Sequence, residues 1–89
     1  MVRKEICFYG MVQGVGFRYR AVQAARMLGL TGSVRNESDG SVSMQVQGGQ
    51  QDIDRMIEMI RRGTYIDIER MEVREMIPEE HESGFYVYD

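Results

Sequence analysis

The sequence predicts an α+β domain, a ferredoxin-like split β-α-β sandwich in which two helices cover one face of an antiparallel sheet. Three observations carry this expectation. Apolar residues switch between period two and helical spacing in the order β-α-β-β-α-β, followed by a short extra strand. Both helical patterns stop at a glycine, Gly29 and Gly63. The two middle strands are joined by Asp39-Gly40, a strong hairpin signal. A closed five-stranded barrel fits poorly, because two amphipathic helices need a sheet face on which to bury their apolar stripes.

The first strand is read from Lys4 to Met11, with Ile6 and Phe8 on one face and Cys7 and Tyr9 on the other. Apolar groups on both faces suit a central strand. From Phe17 to Leu28 the set Phe17, Ala21, Ala24, Ala25 and Leu28 recurs at helical spacing, leaving Arg20, Gln23 and Arg26 toward water. Leu30–Glu37 and Gly40–Gly48 read as the hairpin strands, Val42, Met44 and Val46 alternating strictly. A second helix is expected from about Asp52 to Arg62, with acids near its positive end and Arg61 and Arg62 near its negative end. In the last long strand, Ile66 to Met76, the apolar parity slips between Ile68 and Met71, and a β-bulge near Glu69-Arg70 would restore it. Pro78 opens a polar loop in which His81 is expected to be solvated, and Phe85 to Tyr88 form the closing strand. The eight methionines read as core filler.

Eighty-nine residues suffice for a single domain, residues 1–89, with one core. Eleven basic residues against fourteen acidic ones leave a net charge of -3 with the basic groups scattered, which argues against a nucleic-acid groove. An RNA-binding sheet would need its exposed aromatics, such as Tyr9 with Tyr86 or Tyr88, in a basic setting. No apolar run reaches membrane-span length, and the first residues lead into too few apolar ones for a secretion signal. Cys7, without a second cysteine, is a sheet or core residue, and with His81 alone it makes no metal site. A cytoplasmic protein without a membrane span is therefore expected; a monomer without metal or cofactor is the accompanying expectation, although the exposed final strand could pair with a neighbour.

The chemistry concentrates in Gly10-Met11-Val12-Gln13-Gly14-Val15-Gly16-Phe17-Arg18, where the strand pattern ends and the helical one begins. Gly14 and Gly16 allow positive φ, so the backbone can curl and aim successive N–H groups at one point, beside the positive end of a helix. Arg18 adds a planar fork that matches phosphate oxygens. The plainer alternative is a tight strand-to-helix turn with a solvated arginine. Neither a Walker loop nor a dinucleotide fingerprint is present.

Asn36, three residues before Asp39, is brought by a split β-α-β topology to the same sheet end as this loop. Its uncharged carboxamide can accept a proton of a water and aim the oxygen at a phosphorus held beside Arg18. Taken alone, an asparagine before a hairpin is more often a turn-former. Together, the loop motif and Gly29-Leu30-Thr31-Gly32-x-Val34-Arg35-Asn36-x-x-Asp39-Gly40-x-Val42 closely resemble the acylphosphatase family. The resemblance continues through Val46-x-Gly48, Arg61-Arg62-Gly63, Ile68-x-x-Met71-x-Val73 and Ser83-Gly84-Phe85.

That resemblance implies metal-independent hydrolysis of small acyl phosphates to a carboxylate and inorganic phosphate. Arg18 matches the family's phosphate-binding arginine, the backbone of Gln13, Gly14, Val15, Gly16 and Phe17 its phosphate loop, and Asn36 its water-orienting asparagine. The substrate's own phosphate is expected to take the proton of the water. Met11, Ser33 and Thr64-Tyr65 depart from the family pattern, and changed access or packing is the expected consequence. A second function class is a non-catalytic anion-binding module, similar to the first domain of hydrogenase-maturation carbamoyltransferases. Nothing in the sequence marks a pocket for the acyl group.

Overall fold

The computed structural model describes residues 1–88; Asp89, the last residue of the expected domain, lies outside the described residues. The elements are β1 (Val2–Met11), α1 (Phe17–Leu28), β2 (Thr31–Asn36), β3 (Val42–Gly48), α2 (Gln50–Arg61), β4 (Asp67–Met76) and β5 (Phe85–Val87). They form a five-stranded sheet in the order β4-β1-β3-β2-β5. β1 and β2 each pair antiparallel with β3 between them, so they run parallel to each other, as a split β-α-β unit requires. Ile6, Phe8, Met44 and Val46 on the sheet meet Ala21, Ala24, Ala25, Ile53, Met56 and Ile60 on the helices in one core.

The sheet departs from the antiparallel expectation at one edge. β5 lies parallel to β2, with Gly32 opposite Phe85 and Val34 opposite Val87. β4 runs against β1 and so finishes at the end of the sheet where β1 and β2 begin. The following segment crosses along that end to the far edge, and its only continuation is to run alongside β2. Buried side chains fasten the crossing: the Gln47 amide bonds both the N–H and the carbonyl of Glu79, and Arg3, 3% exposed, pairs with Glu82 at 2.6 Å.

The expected bulge is present. Tyr9 faces Arg70 and Gly10 faces Ile68, so Glu69 is the extra residue, and Ile68 and Met71 both pack against the core. Val73, of the same parity as Met71 on this edge strand, stays 53% exposed. The methionines divide: Met44 and Met56 are core, Met59 and Met71 pack against it, and Met1, Met11 and Met27 are exposed. Arg20 also differs from the water-facing expectation, since its guanidinium donates to the Met59 carbonyl at 2.9 Å and ties α1 to α2.

Candidate active site

Two buried apolar side chains clamp the loop that joins β1 to α1. Val12 precedes it and Phe17 follows it, each 1% exposed, and Phe17 packs its ring on Phe8 at 4.9 Å and 59°. Between these anchors Gly14 and Gly16 adopt φ of 71° and 84°, the left-handed region, with Gly16 capping α1. Among the described residues, none of the backbone N–H groups from Gln13 to Phe17 donates a hydrogen bond. They join the unpaired first turn of α1, which contains no acidic side chain, in a region of positive potential.

The loop does not float. The Gln13 carboxamide donates to the carbonyls of Glu37 at 2.7 Å and Ser41 at 2.8 Å, fastening it to the β2–β3 connection. That connection is itself held by the Glu37 N–H on the Ser41 carbonyl, and by Asp39, whose carboxylate accepts from the hydroxyl and N–H of Ser41. Those Ser41 bonds, the hydroxyl's first, lower the Asp39 pKa. The side chain of Gln13 is therefore committed to the scaffold, and what it offers the loop is its backbone.

Gly14, Gly16, Phe17 and Arg18 border a cleft of about 490 Å³, and Asn36 borders it from the end of β2. The two residues singled out from distant stretches thus face one space. The Asn36 Oδ1 is buried and has no hydrogen-bond partner among the described residues, a state buried acceptors rarely keep without a use. Val12, Val22 and Val87 give the cleft apolar walls, while Tyr19, Gln23 and Arg26 stand along its α1 side. Gln13 and Val15 do not line it.

Sequence reasoning missed the α1 side. Gln23 and Arg26 read as water-facing, which they are, but β5 lies across from them and turns that surface into a wall. The spacing Arg18, Val22, Arg26 was the available signal, since every fourth residue shares a helix face. Met11 and Ser33 are not among the cleft's lining residues. Met11 ends β1 opposite Asp67, and Ser33 pairs with Gln45 beside a separate groove with Glu5 and Arg35. Tyr65, in the turn before β4, is 76% exposed and also outside the cleft.

Other reactive groups lie elsewhere. Burial pushes the Cys7 thiol pKa up, with Glu5 and other acids adding to it, so the thiolate is disfavoured. His81 is exposed in the crossing segment, and no cluster of three or more His, Cys, Asp or Glu suited to a metal occurs among the described residues. No described helix is long and apolar enough to cross a membrane.

Fold and cleft together define a ferredoxin-like α+β domain with a guanidinium-bearing cleft at the junction of its first strand and first helix. The acylphosphatase family model matches residues 4–87, and the chain belongs to that family. An acylphosphatase of Bifidobacterium longum is 48% identical over 63 residues, 71% of this chain and 65% of that protein, so the match spans just under two thirds of that relative's length. The crystal structure of acylphosphatase from Bacillus subtilis is similar with a TM-score of 0.90 at 29% identity, covering 100% of both chains. T. kodakarensis HypF contains a similar region, with a TM-score of 0.83 and 30% identity over 100% of this chain and 12% of that one.

Proposed function

We propose that this protein hydrolyses acyl phosphates to a carboxylate and inorganic phosphate, as a single cytoplasmic domain of residues 1–89 acting as a monomer. The phosphoryl group sits in the curl of Gln13, Gly14, Val15, Gly16 and Phe17, whose N–H groups donate to its oxygens, and the Arg18 fork neutralises its charge. Asn36 accepts a hydrogen of the attacking water and points the oxygen at phosphorus, opposite the acyl oxygen. As the water's oxygen bonds to phosphorus, the bond from phosphorus to the acyl oxygen breaks, and a phosphoryl oxygen takes the water's proton. The leaving carboxylate has a conjugate acid of pKa about 4, so it departs as an anion without a general acid. The reaction therefore needs charge stabilisation and alignment more than proton transfer by a side chain.

The observation that carries the reading is the meeting of unlike groups at one cleft. Gly14, Gly16 and Phe17, whose N–H groups donate to nothing among the described residues, border it from the loop with the guanidinium of Arg18, and Asn36, whose Oδ1 has no partner there, borders it from β2. Among the described residues the charged side chains lining it are the cations Arg18 and Arg26, a setting that favours an anion over a divalent metal. Hydrolysis of benzoyl phosphate in excess chelator, inhibited competitively by inorganic phosphate, is the expected result; absence of turnover in chelator contradicts the mechanism.

The occurrence of a similar region within the much longer HypF chain favours a second reading, a non-catalytic anion-binding module. Phosphate would then raise the melting temperature while acyl phosphates stayed intact.

A further inference from the structure

We propose that Arg26 selects the acyl group, so that the cleft prefers acyl phosphates of four- or five-carbon dicarboxylic acids, whose far carboxylate meets this second guanidinium. The inference rests on the hydrolase reading and adds to it a substrate class and the residue that determines it.

The placement follows from two independent rulers. Arg18, Val22 and Arg26 occupy positions i, i+4 and i+8 of α1 and all line the cleft, so its two guanidinium-bearing residues are about 12 Å apart along the helix axis. On the opposite wall, the Arg26 guanidinium reaches the Phe85 carbonyl at 3.4 Å, and Phe85 lies in register with Gly32. Gly32 precedes Asn36 by four residues of β2, about 13 Å of strand. Helix and strand therefore agree on the distance between the phosphoryl end and the Arg26 end.

With the binding groups taken to keep these backbone offsets, subtracting about 2.8 Å of charge-assisted hydrogen bond at each end leaves roughly 6 Å to be bridged. Extended covalent chain advances about 1.2 Å per bond, so about five bonds separate the phosphorus from the tail carboxylate carbon. Succinyl phosphate has that length, and glutaryl phosphate adds one bond. Between the two cations Val22 and Val87 give the cleft apolar surface that suits methylene groups, with Tyr19 and Gln23 beside them on α1. Arg26 is exposed, and its bond to Phe85 is long and engages one nitrogen, so most of its fork is left for a carboxylate.

The test compares kcat/KM for succinyl phosphate with that for butyryl phosphate, which has the same chain length and no tail charge, at low ionic strength. The native protein is expected to favour succinyl phosphate about fivefold or more. Arg26→Gln is expected to bring the ratio near one and Arg26→Lys to restore part of it, and added salt should erode the preference. A ratio that Arg26→Gln leaves unchanged overturns the inference while acetyl phosphate turnover upholds the hydrolase reading. Should no acyl phosphate be hydrolysed, binding of 5-phosphonopentanoate against pentylphosphonate by calorimetry still decides it. Equal affinities in native protein overturn the selection by Arg26; tighter binding of the carboxylate compound, lost in Arg26→Gln, upholds it.

Discussion

Gln13 and Glu37 are joined by a hydrogen bond of 2.7 Å from the Gln13 amide to the Glu37 carbonyl. Glu37 follows Asn36 directly, so this bond couples the position of the glycine loop to that of the carboxamide 23 residues beyond Gln13. With the companion bond to Ser41 at 2.8 Å, it holds two segments in one geometry without entering the cleft.

Replacing Gln13 by alanine removes both bonds at a cost of about 1–3 kcal/mol. The expected result is a melting temperature lower by several degrees, with kcat on benzoyl phosphate reduced by about tenfold as alignment of the loop and Asn36 loosens. Thermal denaturation followed by steady-state kinetics checks both; full kcat in a destabilised variant would separate the loop's position from catalysis.

Asn36→Ala should divide activity from stability. The side chain makes no hydrogen bond among the described residues, and its Oδ1 is buried without a partner, so its loss removes an unsatisfied acceptor rather than an interaction. The expected outcome is a melting temperature equal to or above that of the native protein, near-native phosphate affinity, and turnover lower by about 10²-fold. Arg18→Lys is expected to show the opposite kinetic signature, weak phosphate binding, because a point charge replaces the fork. Phosphate inhibition constants measured beside kcat distinguish the two.

The glycines provide a graded test. A Cβ on Gly16 meets nothing within 4 Å, so Gly16→Ala is opposed by its φ of 84° alone, a cost of about 1–2 kcal/mol. That variant should fold and bind phosphate poorly. At Gly32 the Cβ would lie 1.8 Å from the Gln45 carbonyl oxygen of the neighbouring strand, and the φ is 139°. Gly32→Ala should therefore give no cooperative unfolding transition by circular dichroism.

Glu82 sets a pH dependence. Burial acts to raise its pKa, but hydrogen bonds from Arg3 and Thr31, with the charge of Arg3, outweigh it and bring the group below its ordinary 4.5. A carboxylate depressed on folding contributes its stability in full above the unfolded value and loses it as pH falls through the folded one. The melting temperature should thus decline below pH 4.5, and less steeply in Glu82→Gln. At pH 7 that variant should already be about 1–3 kcal/mol less stable, because Arg3 remains buried without its counter-charge.

Much of this protein is legible in its residues alone. Helix α1 begins at Phe17 and stops at Gly29 as its apolar spacing dictates, Gly14 and Gly16 take the positive φ expected of them, and the parity slip in β4 becomes a bulge at Glu69. Each of these depends on a few adjacent residues whose sterics and periodicity are complete within the segment. The meeting of Arg18 and Asn36 at one cleft follows from topology, one step less local. Tertiary structure alone decided that β5 would lie parallel to β2, that the Gln13 side chain would brace the loop, and that Arg26 would border a cleft instead of open water. Those outcomes depend on which sheet edge the crossing segment reaches and on the register it takes there, and such long-range pairings leave no periodic mark on the residues that make them.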